Sequence, residues 1–133
     1  MEREMITKST TMLYVADTEA ALQFWTEQVG FVLVDQAQQE RTSSYEIAPN
    51  KESAISFGLH NKEIVTAANP GMDLGFPSLL FETDHLQAEY ERLTAAGVAT
   101  NPIMEYQGMI HFTFSDNEGH YIAVRQSTSP KGA

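Results

Sequence analysis

Asp17 and Gly30 are separated by the same number of residues as Asp84 and Gly97, and each pair brackets a helical pattern. In the first, Ala21, Leu22, Trp25 and Val29 fall on one face; in the second, Leu86, Tyr90 and Leu93 do. Aspartate suits the N-cap because its carboxylate accepts a free N–H of the first turn. Glycine suits the residue after a helix, where the backbone turns left-handed. A short apolar run precedes each pattern, residues 10–15 and 78–81. Three strand-like runs follow each: 31–38, 43–48 and 53–60 in the first half, 98–106, 109–115 and 121–126 in the second, with Asn117-Glu118-Gly119 as a turn. Each half therefore reads β-α-β-β-β, and a repeat of this kind points to internal duplication.

The first repeat is expected over residues 8–60 and the second over 78–126, in a single domain spanning 1–133. Residues 61–77, with Pro70-Gly71 and Gly75, read as the linker, and 127–133 as a tail. Four strands and one helix are too few to bury both faces of a sheet. Two repeats side by side predict an α+β fold: a cupped mixed sheet, helices outside, with a central cleft for a ligand.

Composition narrows the function. Cysteine is absent, which removes disulfides, thiolate nucleophiles and cysteine metal sites. No apolar run approaches the roughly 20 residues of a membrane helix. Met1-Glu2-Arg3-Glu4-Met5 is charged and lacks the apolar stretch of a signal peptide, so a cytoplasmic protein is expected. Eighteen acidic against eight basic residues give a formal charge of −10, which disfavours nucleic acid. The same charge either favours a cationic ligand or serves solubility alone.

Several stretches resemble a known family. Thr11-Met12-Leu13-Tyr14-Val15-Ala16-Asp17, Ala21, Phe24-Trp25 and Val29-Gly30-Phe31 are similar to the opening of glyoxalase-fold proteins. Phe114-Ser115-Asp116-Asn117-Glu118-Gly119 and the strand after it are similar to their closing hairpin, with Asn117 where proline is usual. The chain is thus identified as a member of the glyoxalase/bleomycin-resistance/extradiol dioxygenase (vicinal oxygen chelate) superfamily, over roughly residues 8–126. The resemblance implies two metal ligands per half, His, Glu or Gln. At those positions stand Thr10, Ser56, Ser78 and Ala123, and a one-residue slip gives only Thr11, Phe57, Leu79 and Val124. Hydroxyls and a methyl are poor ligands for a divalent cation, so neither a metal nor another cofactor is expected. The resemblance also implies a homodimer, with Trp25 and Phe76-Pro77 as candidates for burial between chains.

Alternation along strands carries the cleft face from those four positions to Met12, Tyr14, Gly58, His60, Leu80, Glu82, Tyr121 and Arg125. The candidate ligand-binding residues are Met12, Tyr14, His60, Glu82, Tyr121 and Arg125. His60 reads either as a general base or as a solvated strand end. Glu82, mid-strand among apolar neighbours, either pairs with Arg125 or meets a cationic ligand. Tyr14 and Tyr121 read as packing or dimer residues rather than acids. His111 reads as a core or edge histidine, and His85 and His120 as solvated. The function expected is the binding or sequestering of a small cationic or aromatic molecule, without catalysis. The alternatives are a lyase, isomerase or dioxygenase using an unforeseen metal or acid/base site, and a subunit with a vestigial cleft.

Overall fold

The computed structural model describes residues 5–38 and 41–127. The first four residues of the charged N-terminus, residues 39 and 40, and all but Ser127 of the expected tail lie outside the described residues. The chain divides after Pro77 into two compact units. Among the described residues no helix is long and apolar enough to cross a membrane.

In the first unit β1 (Ser9–Val15) leads into α1 (Thr18–Gln23), followed by β2 (Val32–Gln38), β3 (Ser43–Ala48) and β4 (Ile55–Asn61). The sheet order is β1-β4-β3-β2, with β1 parallel to β4 and the other pairs antiparallel. Asp17 caps α1, accepting the N–H groups of Glu19 and Ala20, both at 3.0 Å. The helix does not stay α-helical to its end. Residues Phe24–Val29 wind as a π-helix, and the N–H groups of both Gly30 and Phe31 converge on the Trp25 carbonyl. Gly30 makes this reversal possible at φ 97°, where a Cβ would be strained.

The helix packs on the face carrying Leu13, Val15, Ile47, Phe57 and Leu59, all buried. Trp25 is 1% exposed, at the centre of that core rather than on a surface awaiting a second chain. Its ring stacks on Phe57 at 6.3 Å and meets Phe31 at 5.2 Å. The segment read as a linker opens with another helix, α2 (Lys62–Ala68). Asn61 caps it by accepting the Ile64 N–H at 2.9 Å. Pro70-Gly71 marks where that helix has ended, not a structureless connection throughout.

The second unit repeats the plan: β5 (Leu80–Thr83), α3 (Leu86–Ala95), β6 (Met104–Tyr106), β7 (Met109–Ser115) and β8 (Tyr121–Gln126), in the order β5-β8-β7-β6. The two four-stranded sheets have the same topology and the same parallel first pair, β5 with β8. Two local expectations change. Asp84 is not the N-cap of α3: His85 holds that position without a side-chain hydrogen bond, and Gln126 accepts the Leu86 N–H at 3.0 Å. Gln126 also donates to the Asp84 carbonyl at 2.8 Å, so the end of β8 clamps the start of the helix. The run 98–106 is not one strand. Thr100 bridges Phe114, and regular pairing resumes only at Met104, because Pro102 between them lacks an N–H.

The closing hairpin is held by Asp116, 6% exposed, which accepts the N–H groups of Glu118 and His120 at 2.9 and 2.8 Å. Its second oxygen lies 2.9 Å from His120 Nδ1. His120 is therefore a structural partner of a buried carboxylate and not a solvated side chain.

Candidate ligand-binding faces

Each sheet has one face under its helices and one face away from them. In the first unit the register pairs Thr10 with Ser56, Met12 with Gly58 and Tyr14 with His60, so all six share the face opposite the core. Glu46 pairs with Gly58, and Asp35 with Glu46, after a β-bulge between Leu33 and Asp35. One row of this face therefore runs Asp35, Glu46, Gly58, Met12. It borders a pocket of about 280 Å³, which also takes in Thr10, Ala37, Ser44 and His60.

Gly58 gives the pocket its depth. A Cβ there would stand 3.0 Å from both His60 Nε2 and the Met12 sulfur. Those two side chains fold down over the glycine, where any larger residue would prop them up. His60 lies 6.2 Å from the Tyr14 ring, between centroids, and has no hydrogen-bond partner among the described residues. It is half-buried, and burial lowers its pKa below the ordinary histidine value, so at neutral pH the imidazole is uncharged. This is not a solvated strand end.

Beside it the hydroxyls of Thr10 and Ser56 bond to each other at 2.8 Å, and Ser56 donates to Glu46 at 2.6 Å. Lys8 forms an ion pair with the same carboxylate. The Lys8 and Ser56 hydrogen bonds hold the Glu46 pKa below the usual carboxylate range. Lys8, Asp35 and Glu46 were not singled out by the sequence reading. The cue for Glu46 was the one used for Glu82, a charge inside a strand, here between Tyr45 and Ile47.

In the second unit the register pairs Leu80 with Ala123, Glu82 with Arg125, and Arg125 in turn with His111. Tyr121 follows on the same face of β8, 64% exposed. Glu82 Oε1 lies 3.4 Å from Arg125 Nη2, so of the two alternatives for Glu82 the structure has the ion pair. Leu80, Met104 and Tyr106 are also exposed here, giving a more apolar face than that of the first unit. The six candidate residues thus fall into two groups, Met12, Tyr14 and His60 on one sheet and Glu82, Tyr121 and Arg125 on the other.

The metal implied by the resemblance can be tested against its donor positions, unit by unit. In the first, Thr10 and Ser56 are neutral hydroxyls already bonded to each other and to Glu46. In the second, Ser78 is a lone hydroxyl and Ala123 offers a methyl. Such a set does not fit a divalent cation, which needs charged oxygen or imidazole donors. Among the described residues no three His, Cys, Asp or Glu side chains cluster closely enough to hold one.

Duplicated βαβββ units with these registers define a class, and sequence comparison agrees with it. The sequence model of the Glyoxalase/Bleomycin resistance protein/Dioxygenase superfamily matches residues 9–124, and the chain belongs to that superfamily. It is 31% identical over 121 residues to the uncharacterized protein YetH of Bacillus subtilis (strain 168), covering 88% of this chain and 95% of that one. Two solved structures from Streptomyces sp. CB03234 are similar. One is a glyoxalase/bleomycin resistance protein, 28% identical, with a TM-score of 0.69 over 90% of this chain and 99% of the other. The second is TnmS3, an antibiotic binding protein, 27% identical, with a TM-score of 0.74 over 96% and 99%.

Proposed function

We propose that this protein binds or sequesters a small cationic or aromatic molecule, uses no metal, and works as a cytoplasmic homodimer. The observation that carries the reading is the first sheet's pocketed face. Its metal-ligand positions are tied into the Thr10–Ser56–Glu46–Lys8 network, while Gly58 leaves a hollow beside Met12 and His60. Similarity to TnmS3, an antibiotic binding protein, supports a small-molecule ligand. On the first sheet Met12 and Tyr14 offer soft and aromatic packing surface to such a molecule, and His60 supplies hydrogen bonds. The second sheet, taken by itself, has Tyr121 as aromatic surface and Glu82 with Arg125 as polar groups. The formal charge of −10 favours cations and disfavours nucleic acid.

Acid/base chemistry around His60 and Glu82 is the weaker reading, because Glu82 is engaged by Arg125. Exposed Leu80, Met104 and Tyr106 give a second copy an apolar surface to cover. A thermal-shift screen across divalent metals, cationic antibiotics and thiol conjugates tests the function. A ligand at about 100 times its Kd stabilises by roughly 2.7 kcal/mol. Stabilisation by cationic compounds and not by metals is the expected outcome. Stabilisation by a metal alone, or one tightly held metal per chain on elemental analysis, would contradict it.

A further inference from the structure

Resting on the binding function proposed above, we infer that Asp35 is the residue that sets the pocket's preference for a protonated amine. Two carboxylates border the pocket, Asp35 and Glu46, and they are direct cross-strand partners on one face. Like charges placed opposite one another on a sheet repel. Glu46 is compensated, since Lys8 pairs with it and Ser56 donates to it. Asp35 is not. Its Oδ1 accepts the neighbouring Gln36 N–H at 2.8 Å, and no cation pairs with it among the described residues. An ammonium group entering the pocket would meet Asp35 and relieve the repulsion from Glu46 in one contact.

The remaining lining fits the rest of such a molecule. The Met12 thioether and the Ala37 methyl offer apolar surface, and the uncharged His60 ring offers one hydrogen-bond donor and one acceptor without adding positive charge. Among the described residues no Lys or Arg lines the pocket, and the Lys8 ammonium beside it is already paired with Glu46, so a carboxylate or phosphate finds no free counter-charge there. Glu82, the acidic residue that the sequence singles out, is a poorer anchor because Arg125 already engages it. The register shift between Leu33 and Asp35 sets which β2 residue faces Glu46, and that residue is Asp35.

Calorimetric titration of 1-naphthylmethylammonium, 1-naphthylmethanol and 1-naphthoate into the wild type, Asp35→Asn and Glu105→Gln tests the assignment. The wild type should bind the ammonium compound about tenfold or more tightly than the alcohol, and the naphthoate most weakly. Asp35→Asn should lose that tenfold for the amine and keep the wild-type affinity for the alcohol, while Glu105→Gln, at an exposed carboxylate of β6, stays within about twofold of wild type for both. Circular dichroism of each variant establishes that it is folded. Equal binding of amine and alcohol by the wild type, or an Asp35→Asn protein that still prefers the amine, overturns the Asp35 assignment and leaves the binding function standing. Failure of all three compounds to bind the wild type overturns both.

Discussion

The two sheets share strand order, parallel first pair and left-handed helix stop, yet present different chemistry on their open faces. The first carries hydroxyls, two carboxylates, an uncharged histidine and a glycine hollow. The second carries Leu80, Met104, Tyr106 and Tyr121 around one Glu82–Arg125 ion pair. Their buried faces differ less, since each packs aromatic and branched side chains under a helix. Duplication constrains what the core needs, because burial and register leave few substitutions open. The open face is free to diverge, so function belongs to the differences between the repeats.

The largest expected effect tests the equivalence of the cores. Trp25→Ala in the first unit and Phe112→Ala in the second, each side chain 1% exposed, should each cost about 3–5 kcal/mol in urea denaturation. A loss under about 1 kcal/mol at either site would break the comparison at its base.

The helix starts differ and sharpen it. Asp17→Ala and Gln126→Ala should each cost about 1 kcal/mol, the first by removing a local cap and the second by removing one supplied from β8. Protection of the Leu86 amide against hydrogen exchange should fall in Gln126→Ala and not in Asp17→Ala.

Acidification should act mainly through the first unit. His60 has a folded pKa below its ordinary value of about 6.5, so its share of stability is complete above that pH. It is lost as pH falls through the lower folded value. Glu46 behaves likewise below the ordinary glutamate value of about 4.3, where protonation breaks its bonds to Lys8 and Ser56. Denaturation midpoints measured against pH should fall in two stages. His60→Asn should remove the upper stage and Glu46→Gln the lower.

The smallest effect on stability is expected at Gly58. In Gly58→Ala the His60 and Met12 side chains need to move only by rotation, so stability should change by less than about 1 kcal/mol while ligand affinity drops. A variant that binds as tightly as wild type would remove the hollow from the account.

Much of the fold was legible because its signals are local and repeated: helix periodicity, a glycine stop, strand alternation. Legibility failed where a partner came from far along the chain. Asp84 looked like a cap in sequence, but the acceptor comes from Gln126 on the last strand. Trp25 looked like an interface residue until β4 brought Phe57 beneath it. On the open faces alternation placed Met12, Tyr14, His60, Glu82, Tyr121 and Arg125 on their strands. It could not reveal that Glu46 and Asp35 sit across from Gly58, because that depends on antiparallel register and a bulge.

Ligand binding on the pocketed face of the first sheet, as proposed, is reported directly by the methionine methyls. Met12 borders the hollow, whereas Met104 lies on the open face of the second sheet. With 13C-methyl-labelled methionine, titration of 1-naphthylmethylammonium should shift the Met12 resonance saturably, with the affinity found by calorimetry. A Met12 methyl that stays in place while the compound binds would contradict the account.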